Sequence, residues 1–457
     1  MMVFCGIDVG TTGTKAVALD RDGRVLDEMA LPAPATGEAY WYEHFCQVLD
    51  CLAHRGRFRD RGIACSVTGQ GGSFVLTDGS FHAVSAACSW TELAADAIVR
   101  DMVGTFGASE YYHLTGWPPH AWLAACKLRQ RVERKQVPSD ARFIATVPDF
   151  VYAQLTGGLG TDITSGQITG LADFQRAQWS SDILRWAGVS EGLLPPIRPS
   201  LGVVKDGLPT RWGRLTLVSG SHDQYAAMEA AGLAKDTSVM LGTGTAWVIN
   251  GRTKRPLFDD GRFRIHPGTD LHPDCCGFII TLWQIGAGFD RLLSRLGMAH
   301  TSLPGLEEAA ANADVPRARV KVDLETGAVE PADDAALSVR RFMEWSGSVV
   351  AHALDGCGLR RGLEKVVVAG GAMSSRLWPQ AIADVCDLVV EAVECPPFTA
   401  YGAALHARQA VLGPLEPHRF PSTAVVRTYT PQHPREYRAW YGDCQKPMLD
   451  AQRSSTL

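Results

Sequence analysis

At 457 residues the chain is long enough for about two to four domains with sizeable cores. Its 44 basic and 49 acidic side chains leave a formal net charge of -5, which excludes the polycationic surface that nucleic acid or an anionic membrane demands. No uncharged run reaches the ~18 residues of a membrane span, the N-terminus lacks the basic region of a secretory leader, and the twelve cysteines are scattered without metal spacing, so a reducing cytoplasm is the expected compartment.

Phe4–Asp20 reads as an apolar strand, a Gly/Thr turn (Gly10-Thr11-Thr12-Gly13) and a second apolar strand. Glycine lets backbone N–H groups approach an anion closely and threonine adds donors, so such a turn suits phosphate. Asp8 ends the leading strand, where its carboxylate can hold magnesium against the phosphates. Asp20–Arg24 is a tight turn into a strand at Val25-Leu26, residues 42–55 read as a helix that Gly56 stops, and Gly62–Gln70 is a strand running into a loop. A hairpin over Ser73–Val84 follows. Gln70-Gly71-Gly72-Ser73 offers amide and hydroxyl groups to a polyol, and Trp90 with Glu92 offers an apolar face and a carboxylate, although a lone tryptophan is more often core.

From Trp90 to Val137 the pattern is helical, and the mixed charges Lys127, Arg129, Arg131 and Arg134 mark a solvated face. A helix is expected over Pro148–Leu155. Leu215–Gly220 is a strand that ends at Ser221-His222-Asp223-Gln224 before an alanine-rich helix. A carboxylate at that strand-to-helix junction sits at the carboxyl edge of an α/β sheet, where it can take a proton from a sugar hydroxyl, or else cap the helix. Ser238–Ile249 then repeats the opening hairpin, with Gly242-Thr243-Gly244-Thr245 in the turn and Met240 in the region comparable to Asp8. Two such turns suggest two lobes gripping one nucleotide, with the metal on the first.

Further on come the helix Ala335–Asp355, the strand Lys365–Ala369, the turn Gly370-Gly371 and the helix Leu377–Cys386. Without side chains at 370 and 371 the backbone can lie against a planar base or ribose, or simply turn from strand to helix. Thr399–Ala404 starts a helix with small residues, and from Gly413 onward the chain reads as a peripheral tail.

Taken in order, the stretch Asp8–Lys15, Gly69-Gln70, Pro148-Asp149-Phe150, Leu155-Thr156-Gly157, Thr161-Asp162, Gly220–Gln224, Gly242–Thr245, Gly370-Gly371-Ala372, Trp378, Ala383-Asp384 and Gly402-Ala403-Ala404 resemble the FGGY family of carbohydrate kinases. The resemblance implies a duplicated, two-lobed actin-like ATPase fold of ribonuclease H type with an interlobe cleft. It implies lobes over 1–234 and 235–412 with a tail over 413–457, and transfer of the ATP γ-phosphoryl group to a small sugar or polyol with Mg2+. By the same resemblance Thr11, Thr12 and Lys15 face the phosphates, as do Gly242 and Thr243 from the second lobe. Gly370, Gly371, Ala372 and Ser375 border the adenosine, Asp223 is the base, and Gln70, Trp90, Glu92 and Gln224 meet the acceptor. A homodimer is also implied.

Two departures fall on the acceptor side. Many relatives carry Trp-x-Asp-x-Arg where this chain has Trp90-Thr91-Glu92-Leu93-Ala94, and xylulokinases usually have Gln-Met-His where it has Gln70-Gly71-Gly72. A pentulose is the first acceptor expected, with a heptulose, glycerol or erythritol as alternatives. A non-catalytic nucleotide switch on the same fold is the other reading, whereas a dinucleotide oxidoreductase is disfavoured by the lack of a GxGxxG turn after the first strand.

Overall fold

A computed structural model describes residues 2–34, 40–58, 61–233, 235–282, 284–298, 303–311, 320–331, 334–394, 397–414, 424–438 and 440–441. By packing, the chain forms two units: residues 1–232, 253–277 and 395–423 make the first, and 233–252, 278–394 and 424–457 the second. The described residues contain no helix long and apolar enough to cross a membrane.

Unit 1 is built on strands β1 (Met2–Val9), β2 (Gly13–Leu19), β3 (Val25–Pro32), β4 (Gly62–Gly69), β5 (Val203–Thr210) and β6 (Gly213–His222), in the order β5-β6-β4-β1-β2-β3. β1, β4 and β6 run parallel, and the hairpin partners β2 and β5 are antiparallel to them. Alternation along β1 sends its residues to two faces. Val3, Cys5, Ile7 and Val9 pack with Trp41, Phe45, Val48 and Leu49 of helix α1 (Trp41–His54) and with Phe150 and Tyr152. Phe4 faces Ala400, Tyr401 and Ala404 of the helix Phe398–Leu412 instead.

That second contact is close. A Cβ at Gly6 would overlap the carbonyl oxygen of Ala400 and lie 2.8 Å from the carbonyl carbon of Ala403, so only glycine fits. The helix was expected within a contiguous second lobe, but its small residues let it pack on the sheet of unit 1, and contiguous ranges give way to interleaved ones.

Unit 2 repeats the strand pattern. Its main sheet includes β7 (Ser238–Thr243), β8 (Trp247–Thr253), β9 (Cys276–Thr281), β10 (Lys365–Gly370), β11 (Val389–Glu394) and β12 (Ala424–Tyr429), consecutive in the order β9-β8-β7-β10-β11-β12. β7 pairs antiparallel with β8 and parallel with β10, which pairs parallel with β11, just as β1 pairs with β2 and β4, and β4 with β6. The duplication seen in two hairpins therefore extends to two sheets. β12 comes from the stretch read as a peripheral tail, and the buried Tyr437 donates to Glu344 Oε1 at 2.5 Å. Residues 415–423 and 442–457 of that stretch, and Cys395 and Cys444, lie outside the described residues.

The span 90–137 divides into three helices, Asp96–Phe106, Ala108–Thr115 and α2 (Ala124–Glu133), because Gly107 and Gly116 adopt positive φ at the breaks.

Candidate functional site

Parallel strands end together, and the register of β1, β4 and β6 places Asp8, Thr68 and Ser221 in one row and Val9, Gly69 and His222 in the next. The residues that follow, Gln70 and Asp223, therefore emerge at the carboxyl edge of the same three strands, beside Asp8. Burial and the Asp223 carboxylate push the Asp8 carboxyl up to about 7, while Lys15, directly across the hairpin, pulls it down. A pair of carboxylates whose mutual repulsion is resisted by one ammonium attracts a further cation.

Asp223 opens the helix Asp223–Ala230, yet its side chain caps nothing: the N-cap position is His222, and no side chain bonds the helix start. The capping alternative is thereby removed. Asp223 Oδ1 is buried and makes no hydrogen bond, although His222 Nε2 lies 3.1 Å away; the approach is too poorly aligned to count as one. Burial holds the His222 imidazole below its ordinary pKa against the pull of Asp223 and Asp162. A buried carboxylate oxygen without a donor is a costly arrangement unless a hydroxyl or a cation arrives.

The junction is braced from behind. His222 N donates to Thr164 Oγ1 at 2.9 Å, and that hydroxyl donates to Asp162 Oδ1 at 2.5 Å, while Asp162 also accepts from the backbone N–H groups of Thr164 and Ser165. The imidazole lies over Gly71, where a Cβ would sit 2.5 Å from His222 Nε2. Thus the glycine that departs from the xylulokinase pattern makes room for a ring from another strand.

In the first hairpin Thr11 and Thr12 are exposed at the turn, and Tyr40 donates to Gly10 O at 3.0 Å. Trp90, exposed rather than core, donates from Nε1 to Thr11 Oγ1 at 2.9 Å, and Thr11 donates to Gln70 Oε1 at 3.2 Å. Thr11, Gln70 and Trp90 are thus brought together. Glu92 turns elsewhere: its carboxylate accepts from Ser89 N at 2.8 Å and lies 3.7 Å from Arg131 Nη2. Gln224 is the second residue of its helix and is half-buried.

Within unit 2, Thr243 is buried and its hydroxyl is already engaged, donating to Ala369 O at 2.9 Å and accepting from Ala372 N at 3.0 Å. It ties the hairpin to the glycine turn rather than offering a donor to solvent. Gly370 has φ +104° and a Cβ there would lie 3.0 Å from Thr243 O, so the turn requires glycine for both reasons. Ser375 is buried and accepts from Trp378 N at 2.8 Å, which starts the helix Leu377–Cys386. The exposed part of the second hairpin is Gly244–Ala246, and Ala287 N donates to Thr245 O at 3.1 Å.

Sequence reasoning missed His222, Thr164 and Lys127. His222 sat inside a quoted motif without a role, and Thr164 lies two residues beyond the quoted Thr161-Asp162 pair. Lys127 was placed on a solvated face, whereas it is 3% exposed and donates to the carbonyls of Gly72 and Ser89 at 3.2 and 2.8 Å.

The family model described as the N-terminal domain of the FGGY family of carbohydrate kinases matches residues 3–229. Glycerol kinase 1 of Streptomyces avermitilis is 28% identical over 277 residues, covering 54% of this chain and 54% of that protein, so the match spans about half the length of this relative. Over the whole chain, the crystal structure of xylulose kinase from Rhodospirillum rubrum is similar with a TM-score of 0.86 at 20% identity, covering 99% of each chain. Gluconate kinase from Lactobacillus acidophilus gives 0.86 at 18%, covering 98% of each. Likeness at that identity speaks for the fold, and it is the two-unit actin-like α/β fold expected above.

Proposed function

Because this chain belongs to the FGGY family of carbohydrate kinases, we propose that it transfers the γ-phosphoryl group of ATP to a hydroxyl of a small sugar or polyol. The observation that carries this reading is Asp223 Oδ1, buried without a hydrogen bond at the carboxyl edge of the sheet and close enough to raise the pKa of Asp8. An acceptor hydroxyl supplies the missing donor, and Asp223 takes its proton as the oxygen attacks phosphorus.

Magnesium fits the donor set. It favours oxygen ligands and is commonly held by one or two carboxylates together with phosphates and water. Asp8 and Asp223 would supply the carboxylates, and the ion would neutralise charge on the phosphates. Lys15 and the Thr11-Thr12 turn would meet the phosphates from unit 1, and the Gly370–Ala372 turn would receive the adenosine in unit 2. Gln70 and Trp90 would face the acceptor. A pentulose is the acceptor we favour, and the glycerol, xylulose and gluconate kinases similar to this chain set the range to screen. A homodimer and a cytoplasmic location belong to the same proposal, and sedimentation and cell fractionation test them.

The experiment is an ADP-coupled assay with magnesium and ATP over pentuloses, heptuloses, glycerol, erythritol, hexitols and gluconate. Turnover of at least one acceptor is expected, and Asp223→Asn should lower kcat by roughly 10²- to 10⁴-fold, the span of a lost general base. Turnover of none of them, or an unaffected Asp223→Asn, would move the reading to the nucleotide switch.

A further inference from the structure

Lys127 belongs to α2, yet its ammonium is spent inside unit 1. Nζ donates to Gly72 O at 3.2 Å and to Ser89 O at 2.8 Å, and it lies 5.9 Å from the centroid of the Phe74 ring. Among the described residues no carboxylate comes within ion-pairing distance of it; the Cys88 thiol and Glu92 act on it only through space, and Glu92 is turned toward Ser89 N and Arg131. A buried ammonium is expensive to hold unless its protons find acceptors. The two acceptors here are backbone carbonyls on different loops.

Those loops carry the acceptor-side residues. Gly72 follows Gln70-Gly71 at φ +77°, and Ser89 precedes Trp90. On the other side the same loops are joined by Trp90 N donating to Ser73 Oγ at 2.9 Å, and by the run from Trp90 Nε1 through Thr11 Oγ1 to Gln70 Oε1. One cation behind and one hydrogen-bonded run in front therefore fix the same pair of segments.

We propose that Lys127 is a positioning residue: by gathering the carbonyls of Gly72 and Ser89 onto one ammonium it sets Gln70 and Trp90 against the Thr11 turn. What those residues recognise rests on the kinase reading; the clamp itself does not. Burial lowers the pKa of the ammonium, which is consistent with a group held for its hydrogen bonds rather than for an ion pair.

The test compares wild type with Lys127→Met by hydrogen exchange and kinetics. Arg131→Gln is the control, since Arg131 lies over the same Phe74 ring and meets the Ser89–Glu92 segment only through the Glu92 carboxylate, without holding the carbonyls of Gly72 or Ser89. In Lys127→Met the amides of Trp90 and Glu92, which donate to Ser73 Oγ and Ser89 O, should exchange about ten-fold faster or more, with strand amides of 14–19 unchanged. The acceptor KM should rise roughly ten-fold while the ATP KM stays within about two-fold, since displaced contacts near the reacting centre are felt steeply. Unchanged exchange at 89–92, or acceleration spread evenly over unit 1, overturns the proposal. If the wild type phosphorylates no acceptor, the kinase reading fails while the exchange result still decides the clamp. Should Lys127→Met not fold, Lys127→Gln is read by the same criteria.

Discussion

Replacing Gly71 by alanine probes the packing behind the proposed base. The backbone at 71 does not need positive φ, unlike Gly72 at +77°, so the substitution adds a methyl group without conformational strain. That methyl would sit 2.5 Å from His222 Nε2 and 2.6 Å from Ile168 Cδ1. Carbon contacts settle near 3.5–4.0 Å, so the imidazole must retreat by about 1 Å. It has little room, being 5% exposed with its backbone N–H fixed on Thr164 Oγ1 at 2.9 Å. Overpacking of this kind destabilises by about 1–3 kcal/mol, and at about 2–4 °C per kcal/mol the first melting transition should fall by several degrees. His222 Nε2 is also 3.1 Å from Asp223 Oδ1, so the same movement disturbs the base. A displacement of about 1 Å there should lower kcat by up to roughly 10²-fold. The assay pairs thermal melts with the ADP-coupled rate. Gly71→Ala/His222→Ala removes the obstructing ring, so it should melt higher than the sum of the two single changes allows. Wild-type melting and turnover in Gly71→Ala, or strict additivity in the double variant, would refute the packing argument.

Asp149 is buried in the capping box of the helix Val147–Thr156, and burial, opposed by the Thr146 hydrogen bonds, pushes its carboxyl up to about 6. A carboxyl raised above its unfolded value of about 3.9 binds more protons folded than unfolded between those two values, so its contribution to stability falls as pH rises through about 4 to 6. Asp149→Asn should therefore gain on wild type by about 2 kcal/mol between pH 4 and 7 in denaturant titrations; a difference that stays flat with pH contradicts this. Gly402→Ala should destabilise by about 3 kcal/mol, because its Cβ would overlap the carbonyl oxygen of Ala226 and lie 2.6 Å from the carbonyl carbon. The helix-propensity gain of about 1 kcal/mol is too small to offset that, and an unchanged melting curve would show the helix can shift. Asp8→Asn should impair turnover and raise the magnesium concentration needed for half-maximal rate while retaining part of the ATP affinity in equilibrium binding; unchanged magnesium dependence removes Asp8 from the proposed metal site.

The hairpins were legible because strand alternation, glycine and threonine are local signals, and the junction at Asp223 was legible because an apolar strand running into an alanine-rich helix marks a sheet edge. Whether Asp223 capped its helix was not legible, since that depends on where one side chain points. Thr243 shows the same limit: its composition suggested a donor for phosphate, but its hydroxyl is taken by Ala369, 126 positions away. Lys127 was misplaced because helical periodicity assigns charges to solvent, and its acceptors lie 55 and 38 residues distant on loops. Interleaving of the units is likewise long-range, resting on how tightly Gly6 admits a helix some four hundred positions later.

That last contact bears on synthesis. While the ribosome is still translating, the face of β1 bearing Phe4 and Gly6 has no cover, because Ala400, Tyr401 and Ala404 have yet to be made. The opening strands must wait, apolar side outward, until about four hundred further residues have emerged. A polypeptide truncated before Phe398 is accordingly a poor candidate for soluble expression of unit 1, and holdase chaperones should engage the nascent chain throughout that interval.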